Sequence, residues 1–534
     1  MNRRTFCNQA GLCLLSSSII GIVGCKKQPS TSVADNRPDF DPVESTIDTP
    51  QGLYKDGHYT IEEITQIFLN RIEAIDRTGP SINSVIHISD GALAAARKLD
   101  KELVEGKSRG PLHGIPVLLK DNIDTYDMPT TAGSRALMGS VPPDDATVTR
   151  KLREAGAVIL GKTNLSEWAN FRGEDSSSGW SGLGGLSKNP YVLDRNTCGS
   201  SAGSGSSVAA SLCVIAIGTE TNGSIVCPST TNGIVGIKPT VGLISRSGII
   251  PISYSQDTSG PMARTVKDAV IALGMVTGVD NDDDKTTQSV GHSMEDYTAH
   301  LIKNGLQGKR LAYFNASRGR HKETDDLMDL AIEDLKKAGA EVVEIKTIGP
   351  EGIGRESFNV MLHEYKQGLN DYFASLGPDA PIKSLEELIE FNKADSLEMK
   401  YFGQEYLEMA HKKGDLQSKE YLASLEKMHR GMQAEGIDRV MDEHMLDAII
   451  APTGSPAWKT DLVNGDTFTL GSSSPAAIAG YPNITVPMGF VGALPVGISI
   501  FGRAWSEPIL IEIAYGYEQA TNHRRPPRYL ETLD

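Results

Sequence analysis

Positive charge, cysteine and aromatic side chains are all scarce in this chain of 534 residues. Lys and Arg number 52 against 68 Asp and Glu, for a formal net charge of −16. That balance opposes nucleic acid or an anionic membrane surface as a partner. Only six cysteines are present, and none stands at a Cys/His spacing that would hold zinc. Cys7, Cys13 and Cys25 fall in the N-terminal segment. Cys198, Cys213 and Cys227 are odd in number and lie beside small or apolar residues, so buried free thiols are expected rather than a disulfide framework. No lysine follows a glycine-rich turn in P-loop fashion, and neither Gly182 nor Gly203 starts a complete G-x-G-x-x-G, which removes the usual phosphate cradles. Fixed-period repeats are missing too. What remains is a chain that is 39% hydrophobic, enough for a large globular core.

The first 25 residues read as a targeting segment. Arg3 and Arg4 give a positive start, and Gly11 to Val23 are apolar but too short to span a bilayer comfortably. Ile22-Val23-Gly24-Cys25 resembles a bacterial lipobox, in which Cys25 is lipidated and becomes the first mature residue. An ordinary signal peptide with an incidental cysteine is the alternative. Residues 26–44 then form a polar tether. The expectation is an exported protein of the periplasm or cell envelope, touching membrane only through an N-terminal lipid. Arg3-Arg4-Thr5-Phe6 leaves the twin-arginine and general export routes both open.

From residue 45 to 534 the pattern alternates. Thr60 and Glu63 fit a capping box ahead of Ile64, Ile67, Phe68, Ile72 and Ile75 at helical spacing, which ends near Gly79-Pro80. An Ala-rich helix over about 91–103 precedes the short apolar run Gly114 to Lys120. A helix over about 146–155 leads through Gly156 to a strand at Val158. Similar pairs recur at 325–345 and 445–450, and Val496 to Phe501 reads as a late strand before a closing helix. Alternation of this kind predicts a single large α/β domain, its mixed, largely parallel twisted sheet covered by helices on both faces. Residues 352–443 break the alternation with charged amphipathic helices, either a cap over the site or a solvated insertion.

The stretch Cys198 to Pro228, CGSSAGSGSSVAASLCVIAIGTETNGSIVCP, is the densest in chemistry. A flexible linker would not carry the apolar run Leu212 to Ile217. Gly199-Ser200-Ser201-Ala202-Gly203 is a literal G-x-S-x-G, yet no strand precedes it and no glycine-rich oxyanion motif accompanies it, so Ser201 does not read as the tip of a nucleophile elbow. Ser224 fits better. It closes Gly218 to Ser224 after an apolar run, a turn able to aim successive N–H groups at an oxyanion. Lys120 ends a strand, where a lysine is ordinarily at the surface. To serve as a base it would have to be buried with its pKa lowered by several units.

Lys120, the Gly199–Gly203 loop and Gly223-Ser224-Ile225 together resemble the amidase signature family. The two serines stand 24 positions apart (224 − 200). Gly114-Ile115-Pro116-Val117, Gly161-Lys162-Thr163-Asn164, Gly236 to Thr240, Asp257 to Ala263 and Gly480-Tyr481-Pro482 extend the resemblance over most of the mature chain. It implies amide hydrolysis without metal or cofactor, through an acyl-enzyme on Ser224. Ser200, preceded by a cis peptide, would relay protons to a neutral Lys120. The N–H groups of Thr221, Asn222, Gly223 and Ser224 would hold the oxyanion, with Thr221 giving either a donor or only shape. Ser201 would be a supporting hydroxyl.

Asn222, Glu220 and Val226 stand where many members have Gly, Asp and Arg. Within the family, GTETNGSIVCP and GIIPISYSQDTSGPMAR look most like bacterial peptide amidases, which implies a peptide C-terminal amide as substrate. Trp168 to Phe171 and Gly179 to Gly182 fit that branch and either line the pocket or pack in the core. An aryl or aliphatic amidase or esterase of the same fold, or a catalytically silent binding protein, are the other readings.

Overall fold

The structure, a computed structural model, describes residues 37–533; the N-terminal segment, Cys25 included, lies outside them. A compact unit begins at Asp41. Its centre is an 11-stranded sheet. From one edge to the other the strands are Val85–Ile88, Val158–Thr163, Pro116–Lys120, Ile215–Glu220, Thr258–Ala263, Val235–Lys238, Asn483–Val491, Leu494–Phe501, Ala448–Pro452, Arg310–Phe314 and Glu341–Ile345. The sheet is mixed. Pro116–Lys120 runs parallel to both its neighbours, and Arg310–Phe314 is parallel to both of its own. Antiparallel pairs join these two blocks through the middle. Strands such as Pro116–Lys120 and Ile215–Glu220 are buried along their whole length, because helices cover both faces and their apolar residues need not alternate with polar ones.

Local rules place the flanking helices. Thr60 accepts from Glu63 N–H at 3.1 Å while Glu63 accepts from Thr60 N–H at 2.9 Å, a reciprocal cap that satisfies two otherwise orphaned donors. The helix Ile61–Arg71 follows and ends in a π-turn over Ile72–Arg77. The Ala-rich helix is Ala92–Val104, and Thr147–Glu154 precedes the strand Val158–Thr163.

Residues 352–443 are helical, beginning with the 23-residue helix Ile353–Ser375 and continuing through Leu385–Ala394, Glu405–His411 and Lys419–Met432. They are not a solvated appendage. Leu362, Tyr365, Leu369 and Phe373 pack with Trp168, Phe171, Ile250 and Ile252 in one apolar cluster. Such burial contributes roughly 1.5–3 kcal/mol per large side chain. Buried Arg172 bonds the carboxylates of both Glu167 and Glu398, tying this block to the segment beneath it. No helix among the described residues is long and apolar enough to cross a membrane.

Candidate active site

Two parallel strand ends meet at the centre of the site. Leu119 is in register with Ile217, so Lys120 emerges beside Thr219 at the C-terminal edge, where open α/β sheets bind their ligands. Lys120 is fully buried. Its Nζ lies 2.7 Å from Ser200 Oγ, 2.8 Å from Thr219 Oγ1 and 3.2 Å from Thr219 O. A neutral amine has two N–H donors and one lone pair. Thr219 can take both donors, which leaves the lone pair for the Ser200 hydroxyl. Asn122 Nδ2, 3.0 Å from Thr219 Oγ1, fixes that acceptor from the other side. Burial pushes the Lys120 amine down to about 7, against the opposing pull of the Asp257 and Glu220 carboxylates.

The serine loop enters from the opposite side. The Gly199–Ser200 peptide is cis, and Ser200 O accepts from Ser166 N–H at 3.1 Å. Ser201 bridges the parts: its Oγ accepts from Thr219 N–H at 3.2 Å and donates to Thr219 O at 3.1 Å, while its own N–H donates to Ser224 O at 3.2 Å. The helix Ala202–Ala209 follows. Gly203 is required there, since a Cβ would meet Ser84 O at 2.2 Å and Asn164 O at 2.5 Å.

Beyond Glu220 the chain turns sharply. Gly223 has φ +86°, a left-handed conformation that glycine adopts without penalty. Thr221 Oγ1 donates to Asp257 Oδ1 at 2.5 Å, and Asp257 Oδ2 accepts from Ile252 and Ser253 N–H at 2.7 and 2.8 Å. Burial holds the Asp257 carboxyl up at about 6, although these donors pull it down. Glu220 Oε2 accepts from Ile225 and Val226 N–H at 2.8 and 3.1 Å, so it occupies the donors just past the turn. Among the described residues, the N–H groups of Asn222, Gly223 and Ser224 have no main-chain acceptor. Ser224 is half-buried and Asn222 exposed. The structure thus joins Lys120 to Ser200 through side chains, and Ser224 to the adjoining Ser201 through its main chain. Among the described residues no side-chain hydrogen bond links Ser224 to Ser200.

Two cavities flank the turn. One of about 330 Å³ is lined by Asn122, Thr219, Thr221 and Asp257, with Gly368 and Tyr372 of the long helix across from them. The other, about 400 Å³, is lined by Gly199, Asn222, Gly223, Trp458 and Phe468. Cys198 and Cys227 also line it and form a disulfide, their Cα atoms 5.9 Å apart. The expectation of three free thiols is therefore corrected, and only Cys213 is free among the described residues. The two partners are 29 positions apart and meet because the loop before Ser200 packs against the helix after Ser224. Trp168, Phe171 and Trp180 are buried in aromatic contacts with Phe373, Tyr365 and Phe402, so these rings pack in the core, whereas Ala169 and Asn170 face the cavities.

Residues 63–511 match the family model described as Amidase. The chain belongs to the amidase signature family. It is an amide hydrolase. The amidase is 48% identical to the peptide amidase of Stenotrophomonas maltophilia, with a TM-score of 0.88 over 91% of this chain and 99% of that one. A protein of Arabidopsis thaliana named "Probable amidase" is 40% identical over 97% of both chains. A glutamyl-tRNA(Gln) amidotransferase polypeptide of Microcystis aeruginosa is 34% identical, covering 88% of this amidase and 96% of that polypeptide.

Sequence reasoning did not single out Asn122, Thr219 or the disulfide. Asn122 lies two residues beyond Lys120 and Thr219 lies within the turn that was read, but only the folded structure shows what their side chains touch. Asp257 stood inside a family motif, and its bond to Thr221 supplies the reason.

Proposed function

We propose that this amidase cleaves carboxamides through Lys120, Ser200 and Ser224, and that its substrate is the C-terminal amide of peptides. The observation that carries the reading is the 2.7 Å contact between the buried Lys120 amine and Ser200, beside a turn whose N–H donors lack main-chain acceptors among the described residues. In the first half-reaction Ser224 Oγ attacks the carbonyl carbon. Its proton passes to Ser200 as the Ser200 proton passes to Lys120 Nζ. The N–H groups of Asn222, Gly223 and Ser224 take the oxyanion, with Thr221 anchored beneath them by Asp257. Collapse of the tetrahedral intermediate breaks the C–N bond, and the proton returns through Ser200 to the leaving nitrogen as ammonia departs. Water then attacks the acyl-enzyme by the same relay and releases the carboxylic acid. Similarity to a peptide amidase over nearly the whole of both chains supports the substrate class. Purified protein incubated with an amidated dipeptide should yield ammonia and the free-acid dipeptide, about 1 Da heavier, by mass spectrometry. An unchanged dipeptide alongside hydrolysis of a simple aryl or aliphatic carboxamide would reject that substrate class.

We propose further that the protein is exported and lipidated at Cys25. A disulfide beside the site suits an oxidising compartment. The intact mass of the mature protein should correspond to a chain that starts at a diacylated Cys25. An unmodified Cys25, or cleavage elsewhere, would refute the lipid.

A further inference from the structure

The wall between the two cavities is built from backbone that L-residues rarely adopt. Trp168, Ala169 and Asn170 follow one another with φ of 49°, 54° and 68°. Residues in this left-handed region carry a conformational cost, smallest for asparagine. The run is pinned where it starts, since Ser166 N–H donates to Ser200 O and Trp168 N–H donates to Ala132 O at 3.0 Å. The buried Trp168 and Phe171 rings anchor it beneath the long helix. Its shape turns Ala169 to the smaller cavity and Asn170 to the larger. Asn170 there shares a cavity with Gly199, Asn222 and Gly223.

Asn170 Oδ1 is buried and has no hydrogen-bond donor among the described residues. Leaving a buried acceptor unpaired is unfavourable because its desolvation is not repaid, and a donor that arrives with a ligand relieves it. Rotation about χ2 of asparagine is broad, so the carboxamide can turn its oxygen to the cavity without changing its side-chain rotamer. A substrate whose carbonyl lies at the Thr221–Ser224 turn places the atoms on its acyl side within this space. A peptide amide has an N–H there, on the α-carbon of its last residue. A plain aryl or aliphatic carboxamide has none.

We propose that Asn170 Oδ1 accepts the α-N–H of the residue bearing the scissile carboxamide, and so selects aminoacyl amides over carboxamides that lack this donor. The assignment rests on the reading of Ser224 as nucleophile and of peptide amides as substrates, and it adds the group that recognises the peptide main chain.

The test compares N-acetylphenylalaninamide with O-acetyl-3-phenyllactamide, in which an ester oxygen replaces the N–H with little change of shape. Ammonia release gives kcat and KM for each. The unmodified amidase should prefer the N–H substrate by roughly 10- to 100-fold in kcat/KM. Asn170→Gly deletes the side chain and tolerates φ +68°, and should abolish that preference by lowering the rate on the N–H substrate alone. Asn170→Asp keeps an acceptor oxygen and should retain the preference. Equal loss on both substrates in Asn170→Gly would place Asn170 on the leaving carboxamide or in structure only, and would overturn the proposal. So would parity of the two substrates in the unmodified protein, a measurement that stands even if a variant fails to fold. If neither substrate is cleaved while another carboxamide is, the peptide-amide reading itself falls. That result is distinguishable, because failure of the Asn170 assignment alone leaves both substrates cleaved.

Discussion

Ser224→Ala should abolish turnover of carboxamide substrates, lowering kcat by at least roughly 10⁴-fold, since loss of the nucleophile in a serine hydrolase removes the covalent route altogether. The fold should be untouched. Ser224 is half-buried, and it contributes to the surrounding structure through its carbonyl, which accepts from Ser201 N–H. Alanine keeps that carbonyl. Thermal melting followed by circular dichroism should therefore superimpose on the unmodified protein, and a mass-spectrometric search for an acyl adduct should find it only on the unmodified chain. Undiminished ammonia release by the purified variant would remove Ser224 from the mechanism.

Lys120→Met should reduce kcat/KM by on the order of 10²–10⁴-fold, the usual worth of a general base, and should change the shape of the pH profile. Methionine fills most of the volume of the lysine stem, so the expected loss is chemical. Burial lowers the Lys120 amine to about 7. Below that value the amine is charged and has no lone pair for the Ser200 proton; above it the amine is neutral and competent. The unmodified protein should accordingly gain kcat/KM as pH rises through about 7 and then level off. The variant should lose this limb and keep rising into the alkaline range, where hydroxide substitutes for the missing base. A flat profile between about pH 5 and 9 in the unmodified protein would contradict an amine titrating in this range. Asp257 titrates close by, at about 6, and its charge favours the protonated amine. Its titration should broaden the rise without reversing its direction.

Features governed by short sequence separation were legible in the chain itself. The Thr60–Glu63 cap, the apolar runs of the buried strands and the sharp turn around Gly223 depend on neighbours within about four residues or on a glycine's tolerance of positive φ. The order of lysine, loop serine and turn serine was legible in the same way, and with it the family. The long insertion could be read as helical, but not as packed, because amphipathic spacing shows that one face is apolar without showing what covers it.

Contacts across many positions were decided elsewhere. Lys120 and Ser200 are 80 residues apart (200 − 120); parallel strand pairing brings Lys120 to Thr219, and the serine loop, held to Thr219 through Ser201, brings Ser200 to the same place. Taken as a strand end, Lys120 belonged at the surface; the sheet and the serine loop close over it, and that burial is what lowers its pKa. The same packing brings Cys198 to Cys227 against the expectation of free thiols. Trp168 to Asn170 carry no glycine to announce a left-handed run, since the conformation is imposed by what anchors each end. The sequence by itself determined the elements, the order of the reactive groups and the family. The tertiary structure alone decided which groups are dry, which are paired and which acceptor is left open, because solvent exclusion and pairing are properties of the packed set of elements and not of any one of them.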